Sequence, residues 1–170
     1  MKFTKLTGAI AAMAAAAGLA FAGPAYAKKD SDHDHNLNIH IGKDKDLLPQ
    51  LIDMDAEDIA DMKEEFADAR ADIDDAIDDI ADAREEAKAA PGGSFFVKIA
   101  FAAASSATDA AANAALDEVF DALDRAERDL KTADVSADER VETQLAIDTL
   151  RTELASLRAK LGELVDAMRT

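Results

Sequence analysis

The sequence has no cysteine and no tryptophan, and its 19 basic residues are few beside 36 acidic ones. The lack of cysteine excludes disulfide scaffolds, Cys-ligated zinc sites and a lipid anchor on a lipoprotein-type cysteine. Stability must therefore come from packing alone. The net charge of −17 makes nucleic acid and anionic lipid headgroups poor partners, whereas cations and basic proteins are better ones.

Residues 1–27 have the order of a cleaved Sec signal peptide. Lys2 and Lys5 provide a charged start, residues 8–22 are apolar, and Ala25 and Ala27 are the small residues that signal peptidase reads. The apolar run is too short for a transmembrane anchor. We therefore expect a bacterial periplasmic or secreted protein that begins at Lys28 and has no transmembrane segment. The mature chain keeps 17 basic and all 36 acidic residues, a net charge of −19.

Residues 28–52 are polar and lack helical periodicity, which predicts a flexible tail. Polar and apolar residues alternate at 36–41, so this short piece is either a strand that needs a partner edge or simply extended tail. The tail also contains every histidine of the chain and two nearby aspartates, as candidate metal ligands: His33, His35, His40, Asp32 and Asp34. Imidazole and carboxylate groups suit weak capture of Zn²⁺ or Cu²⁺. The alternative interpretation is a solvated tail.

The remainder, residues 53–170, has the heptad spacing of long helices. Apolar residues recur at alternating intervals of three and four, Pro91 interrupts the first helix, and Ser136 with Glu139 forms a capping box. We expect helices at about 53–90, 94–133 and 136–169, with a break near 105–109 left open. The predicted fold is all-α: an antiparallel three-helix bundle or coiled coil after a flexible N-terminal tail.

In such a bundle the first and third helices run parallel. The acidic g column of the first helix can then face Arg151 and Arg158 at e positions of the third. We expect ion pairs between these columns, which select the register more than they stabilise the fold.

Nine carboxylates share one side of the first helix, and we call them the acidic stripe: Asp58, Asp61, Glu65, Asp68, Asp72, Asp75, Asp79, Asp82 and Glu86. Like charges three or four residues apart repel by about 0.2 to 0.5 kcal/mol each. The stripe is either a solvated face that mobile ions screen, or a weak site for Ca²⁺, Mg²⁺ or a basic partner, since oxygen ligands suit hard cations.

The apolar run at residues 94–104 also has two interpretations. At the end of a bundle it is core. If it protrudes, it is an exposed patch for a partner or a membrane surface.

No enzyme is expected, because the chain has no thiol, no Gly-rich phosphate loop and no HExxH motif, and its histidines lie in the tail. The first interpretation is an exported acidic coiled-coil protein of the cell envelope, a structural or interaction module that binds itself or another protein through helical faces. The alternative is a periplasmic divalent-cation or heavy-metal binding protein of stress or resistance.

The signal peptide is tested by the mass of the protein purified from a Sec-competent bacterium, which we expect to begin at Lys28. Ala27→Phe places a bulky residue next to the cleaved bond and is expected to leave the precursor uncut. Tyr26→Phe is the control, because peptidase does not require a small residue there. A full-length mass for the wild-type chain contradicts the prediction.

Overall fold

The computed structural model describes residues 47–89 and 93–170, and four helices lie within them. A short α1 spans Leu48–Ile52, followed by α2 at Ala56–Ala89, α3 at Gly93–Leu130 and α4 at Ala137–Arg169. The three long helices run up, down and up, each spanning roughly 50 to 57 Å at 1.5 Å per residue. The predicted all-α three-helix bundle is confirmed.

The long helices α2 and α4 begin at side chains that satisfy the first free amides. Asp55 Oδ1 accepts hydrogen bonds from the backbone amides of Glu57 at 2.8 Å and Asp58 at 3.0 Å. At α4, Ser136 Oγ accepts from the amide of Glu139, whose carboxylate accepts from the amide of Ser136. These bonds hold the pKa of Glu139 below its ordinary value. The predicted capping box is confirmed, and α2 begins after Asp55 because that carboxylate is its cap.

The core is built around α4, which contacts both α2 and α3 more extensively than those two contact each other. Both apolar columns of α4 are fully buried: Ile147, Leu150, Leu154, Leu157, Leu161, Leu164 and Met168. Phe66 and Ile73 of α2 pack into this core beside the small Ala69, and Leu116 and Leu123 join from α3. Large side chains thus meet small ones across the interface, which allows close packing.

Ion pairs confirm that α2 and α4 are parallel but correct the predicted partners. Arg70 Nη1 of α2 donates to Glu153 Oε2 of α4 at 2.6 Å, and Asp74 pairs with Lys160 further along both helices, so the two helices run in the same direction. Arg151 and Arg158 instead reach α3, where Arg151 pairs with Asp124 and Glu127. Arg158 pairs with Asp117. The prediction that these two arginines face the acidic column of α2 was wrong, because their side of α4 is the side that packs on α3.

The helix α1 lies inside the range predicted as tail and shortens that tail. Leu47 and Leu48 pack against the core, and Leu51 is buried between α3 and α4. Pro49 is tolerated because it lies in the first turn, where its missing amide has no helical partner. Apolar residues at one-turn spacing therefore fold onto the bundle. Residues 28–46, with the histidines, Asp32, Asp34 and the strand prediction at 36–41, lie outside the described residues.

The helix α3 continues without a break through residues 105–109. Ser105 is buried there, and its hydroxyl donates to the carbonyl oxygen of Ala102 at 3.0 Å. A buried hydroxyl that bonds back to its own helix needs no partner outside it. The weakly apolar segment is therefore an ordinary part of a long helix.

Candidate interaction surfaces

The acidic stripe lies on the outer side of α2, where seven of its nine residues are exposed and only Asp58 and Glu65 are half-buried. From Asp58 to Glu86 it runs about 42 Å along the helix at 1.5 Å per residue. Because α2 is one continuous helix, the nine carboxylates lie along one side of it. The stripe is thus a row of carboxylates in water and not a cavity.

The cationic side chains of α4 neutralise the seams between helices and not the stripe. Lys160 Nζ lies 2.7 Å from Asp74 Oδ1 of α2, and Arg169 lies 2.8 Å from Asp109 of α3. Leaving Glu65 aside, no stripe carboxylate forms an ion pair with any residue in 47–89 or 93–170. The bundle therefore combines neutralised seams with an acidic outer face.

The seam between α3 and α4 is charged at neutral pH. Hydrogen bonds from Arg151 hold the pKa of Glu127 below its ordinary value, and the same contacts raise the pKa of Arg151. At the seam between α2 and α4, hydrogen bonds to Asp74 of α2 and to Glu163 of α4 raise the pKa of Lys160. Because the pKa of Glu127 is lowered, its stabilising contact is complete above the ordinary carboxyl pKa and is lost as the pH falls through the lowered value.

A ready metal centre is not found in the described part of the chain. Within it, no three carboxylate, imidazole or thiol side chains group closely enough to hold a metal ion. Every buried polar side-chain atom there also has a hydrogen-bond partner. The stripe residues can therefore attract cations electrostatically, while the histidines of the sequence prediction lie outside the described residues.

The apolar run at residues 94–104 is divided between core and surface. Phe101 is buried, and the guanidinium of Arg84 lies 5.1 Å from the centre of its ring. Phe95 and Ile99, by contrast, are 64% and 54% exposed on the outer side of α3. The run thus contains both core and exposed residues. No helix of the described ranges has the length and apolarity to cross a bilayer.

A second outward apolar pair, which the sequence analysis missed, lies near the start of α4. Val141 is 69% exposed and Leu145 is 58% exposed, one helical turn apart. Around them lie the exposed carboxylates of Asp138, Glu142 and Asp148. The signal was present: extending the α4 heptad back from Ile147 places both apolar residues at outer b and f positions, where polar residues are usual.

Removing one stripe charge should stabilise the protein. Asp75→Asn removes the repulsion from Asp72 and Asp79. We therefore expect the free energy of unfolding, measured in urea at low salt, to rise by about 0.4 to 1 kcal/mol. In roughly 1 M NaCl, where the screening length is about 3 Å, the gain should vanish.

The matched control is Asp74→Asn, on the same helix but in an ion pair with Lys160. We expect no gain from it, because the lost pair offsets the relieved repulsion. Equal gains from the two variants, or a gain for Asp75→Asn that persists at high salt, would show that stripe repulsion is not the cause.

The chain was compared with family models, curated proteins and solved structures. No family model matches it. No curated protein and no solved structure matches it either.

Proposed function

We propose that this chain is a non-catalytic, exported interaction module of the cell envelope that binds another protein through the outer face of α4. The observation that carries the proposal is the outward pair Val141 and Leu145. Neither side chain contributes to the core, and each leaves most of its apolar surface in water. Large apolar side chains on an otherwise polar face are typical of protein contact sites.

The surroundings of this pair define the chemistry of the partner. Asp138, Glu142 and Asp148 place carboxylates around the two apolar side chains. A matching surface therefore has an apolar pocket with lysine or arginine at its rim. Complementary charge speeds encounter and rejects acidic competitors. Leaving Glu65 aside, the carboxylates of the acidic stripe form no ion pair within residues 47–89 and 93–170, so they add attraction at longer range.

Export supports the same assignment. The Sec signal predicted at residues 1–27 would direct the chain to the periplasm or the medium. Signal removal leaves the net charge at −19, carried by 36 acidic and 17 basic residues. We propose a basic envelope or secreted protein as the partner for this reason.

The proposal is tested by affinity purification from the native envelope after chemical crosslinking. The wild-type protein should recover a basic protein, and the variant Val141→Ser with Leu145→Ser should recover roughly 10-fold less or lower, since buried apolar anchors dominate such contacts. The control is Ala155→Ser with Ala159→Ser, two exposed positions on the same helix.

Both double variants should melt near the wild-type temperature, because all four positions are exposed. Capture should also fall as NaCl is raised, because the partner's rim is basic. If the apolar variant recovers as much of the same protein as the control, the face of α4 is not the binding surface.

Divalent-cation binding is the second candidate, and the row of exposed carboxylates in the acidic stripe favours it. Carboxylate oxygens are the ligands that Ca²⁺ prefers, and bound cations would relieve the repulsion along α2. We expect a higher melting temperature in millimolar Ca²⁺ than in Na⁺ buffer of equal ionic strength. The variant Asp72→Asn, Asp75→Asn and Asp79→Asn should abolish the difference. Equal melting temperatures for the wild type in the two buffers would remove this candidate. Weak capture of Zn²⁺ or Cu²⁺ by His33, His35 and His40 is tested separately by calorimetry, and the absence of binding heat would remove it.

A further inference from the structure

The first half of α3 presents an outer face without acidic residues. No aspartate or glutamate occurs between Glu86 and Asp109, and Lys98 is the only charged residue from position 93 to 108. This gap is unusual in a chain with 36 acidic residues among 170. This face can therefore approach a negatively charged surface with little electrostatic repulsion.

Large side chains lie at the start of this face, and small ones follow them. Phe95 and Ile99 are exposed by 64% and 54%. Further along the helix, the same outer side is completed by small exposed residues: Ala102, Ala103, Ser106 and Ala110. At about 100° per residue all six lie on the side of α3 opposite the buried Phe101. We call this set the α3 strip.

We propose that the α3 strip binds the α3 strip of a second copy of this chain, with the two helices antiparallel and centred between Ala102 and Ala103. In this register Phe95 lies opposite Ala110 of the second copy, and Ile99 lies opposite Ser106. Each large side chain thus meets a small one, the arrangement that lets two helices approach closely.

Charge fixes the direction in which the second copy binds. Two copies of this acidic chain repel each other wherever their acidic faces meet. A parallel pair along the whole of α3 would place Asp117, Glu118 and Asp121 opposite their own copies. The antiparallel pair overlaps only at residues 93–112, and it brings Lys98 of one copy near Asp109 of the other. This orientation avoids the repulsion and places Lys98 beside an Asp109 carboxylate that already pairs with Arg169.

The dimer is expected to be weak and to strengthen with salt. A single short helix pair falls below the roughly 1,200 Å² total that specific interfaces usually bury. Added salt screens the repulsion between the acidic remainders of the two copies, while apolar contact is largely retained. Salt therefore acts on this dimer in the opposite direction from its action on a basic partner.

Sedimentation equilibrium of the protein as purified from the host tests the proposal. We expect a monomer–dimer equilibrium whose association constant rises between about 0.05 and 0.5 M NaCl. Ala103→Glu should leave a monomer, because it opposes two like charges at the centre of the strip. The control is Ala155→Glu, an exposed alanine of α4 outside the strip, which should dimerise as the wild type does. A wild type that stays monomeric at both salt concentrations overturns the proposal.

Cysteine crosslinking tests the direction, since the chain has no cysteine of its own. In the antiparallel register, position 103 lies about 1.5 Å along the axis from its copy, and position 106 lies about 10 Å away. Ala103→Cys should therefore form a disulfide dimer on mild oxidation, and Ser106→Cys should not. Equal crosslinking at both positions would show a parallel pair and overturn the proposed register. The sedimentation and crosslinking results do not depend on partner capture through Val141 and Leu145. The α3 dimer and the partner site on α4 can therefore be disproved independently.

Discussion

The packing of α4 between α2 and α3 is the constraint on which the other features depend. Leu154 and Leu157 lie at its centre, and no disulfide supplements it. Because α2 and α3 contact each other comparatively little, each is oriented mainly by the face that it turns to α4. That orientation leaves the carboxylate face of α2 and the apolar strip of α3 exposed to solvent.

Charge is distributed by the same geometry. The arginines and lysines of α4 lie along its two flanks, so they reach acidic residues of α2 and α3 at the seams, as Lys160 reaches Asp74 and Arg151 reaches Glu127. Few cations remain for the outer surfaces. The ion pairs at the seams and the acidity of the exterior therefore result from one arrangement of α4. Surface ion pairs of this kind contribute only modestly to the stability of the bundle.

The sequence predicted the three long helices, the all-α bundle, the α4 capping box and the common face of the acidic stripe, because heptads and caps are local signals. It did not predict α1, whose five residues are too few for periodicity to be read. It also assigned Arg151 to the wrong neighbour, since a heptad gives the side of a helix but not which helix lies there. Phe95 shows a further limit. Extending the heptad backwards from Leu116 places Phe95 toward the core, but a straight helix drifts by about 20° per heptad, and after three heptads Phe101 occupies the core instead.

The position of α4 along the chain has a consequence for biosynthesis. The helix that supplies more of the core than any other is the last of the described helices to leave the ribosome. Until it is made, α2 and α3 have few apolar surfaces to bury against each other, so a partial chain has little to gain by collapsing. The order of the described helices therefore delays assembly of the core until α4 has been synthesised.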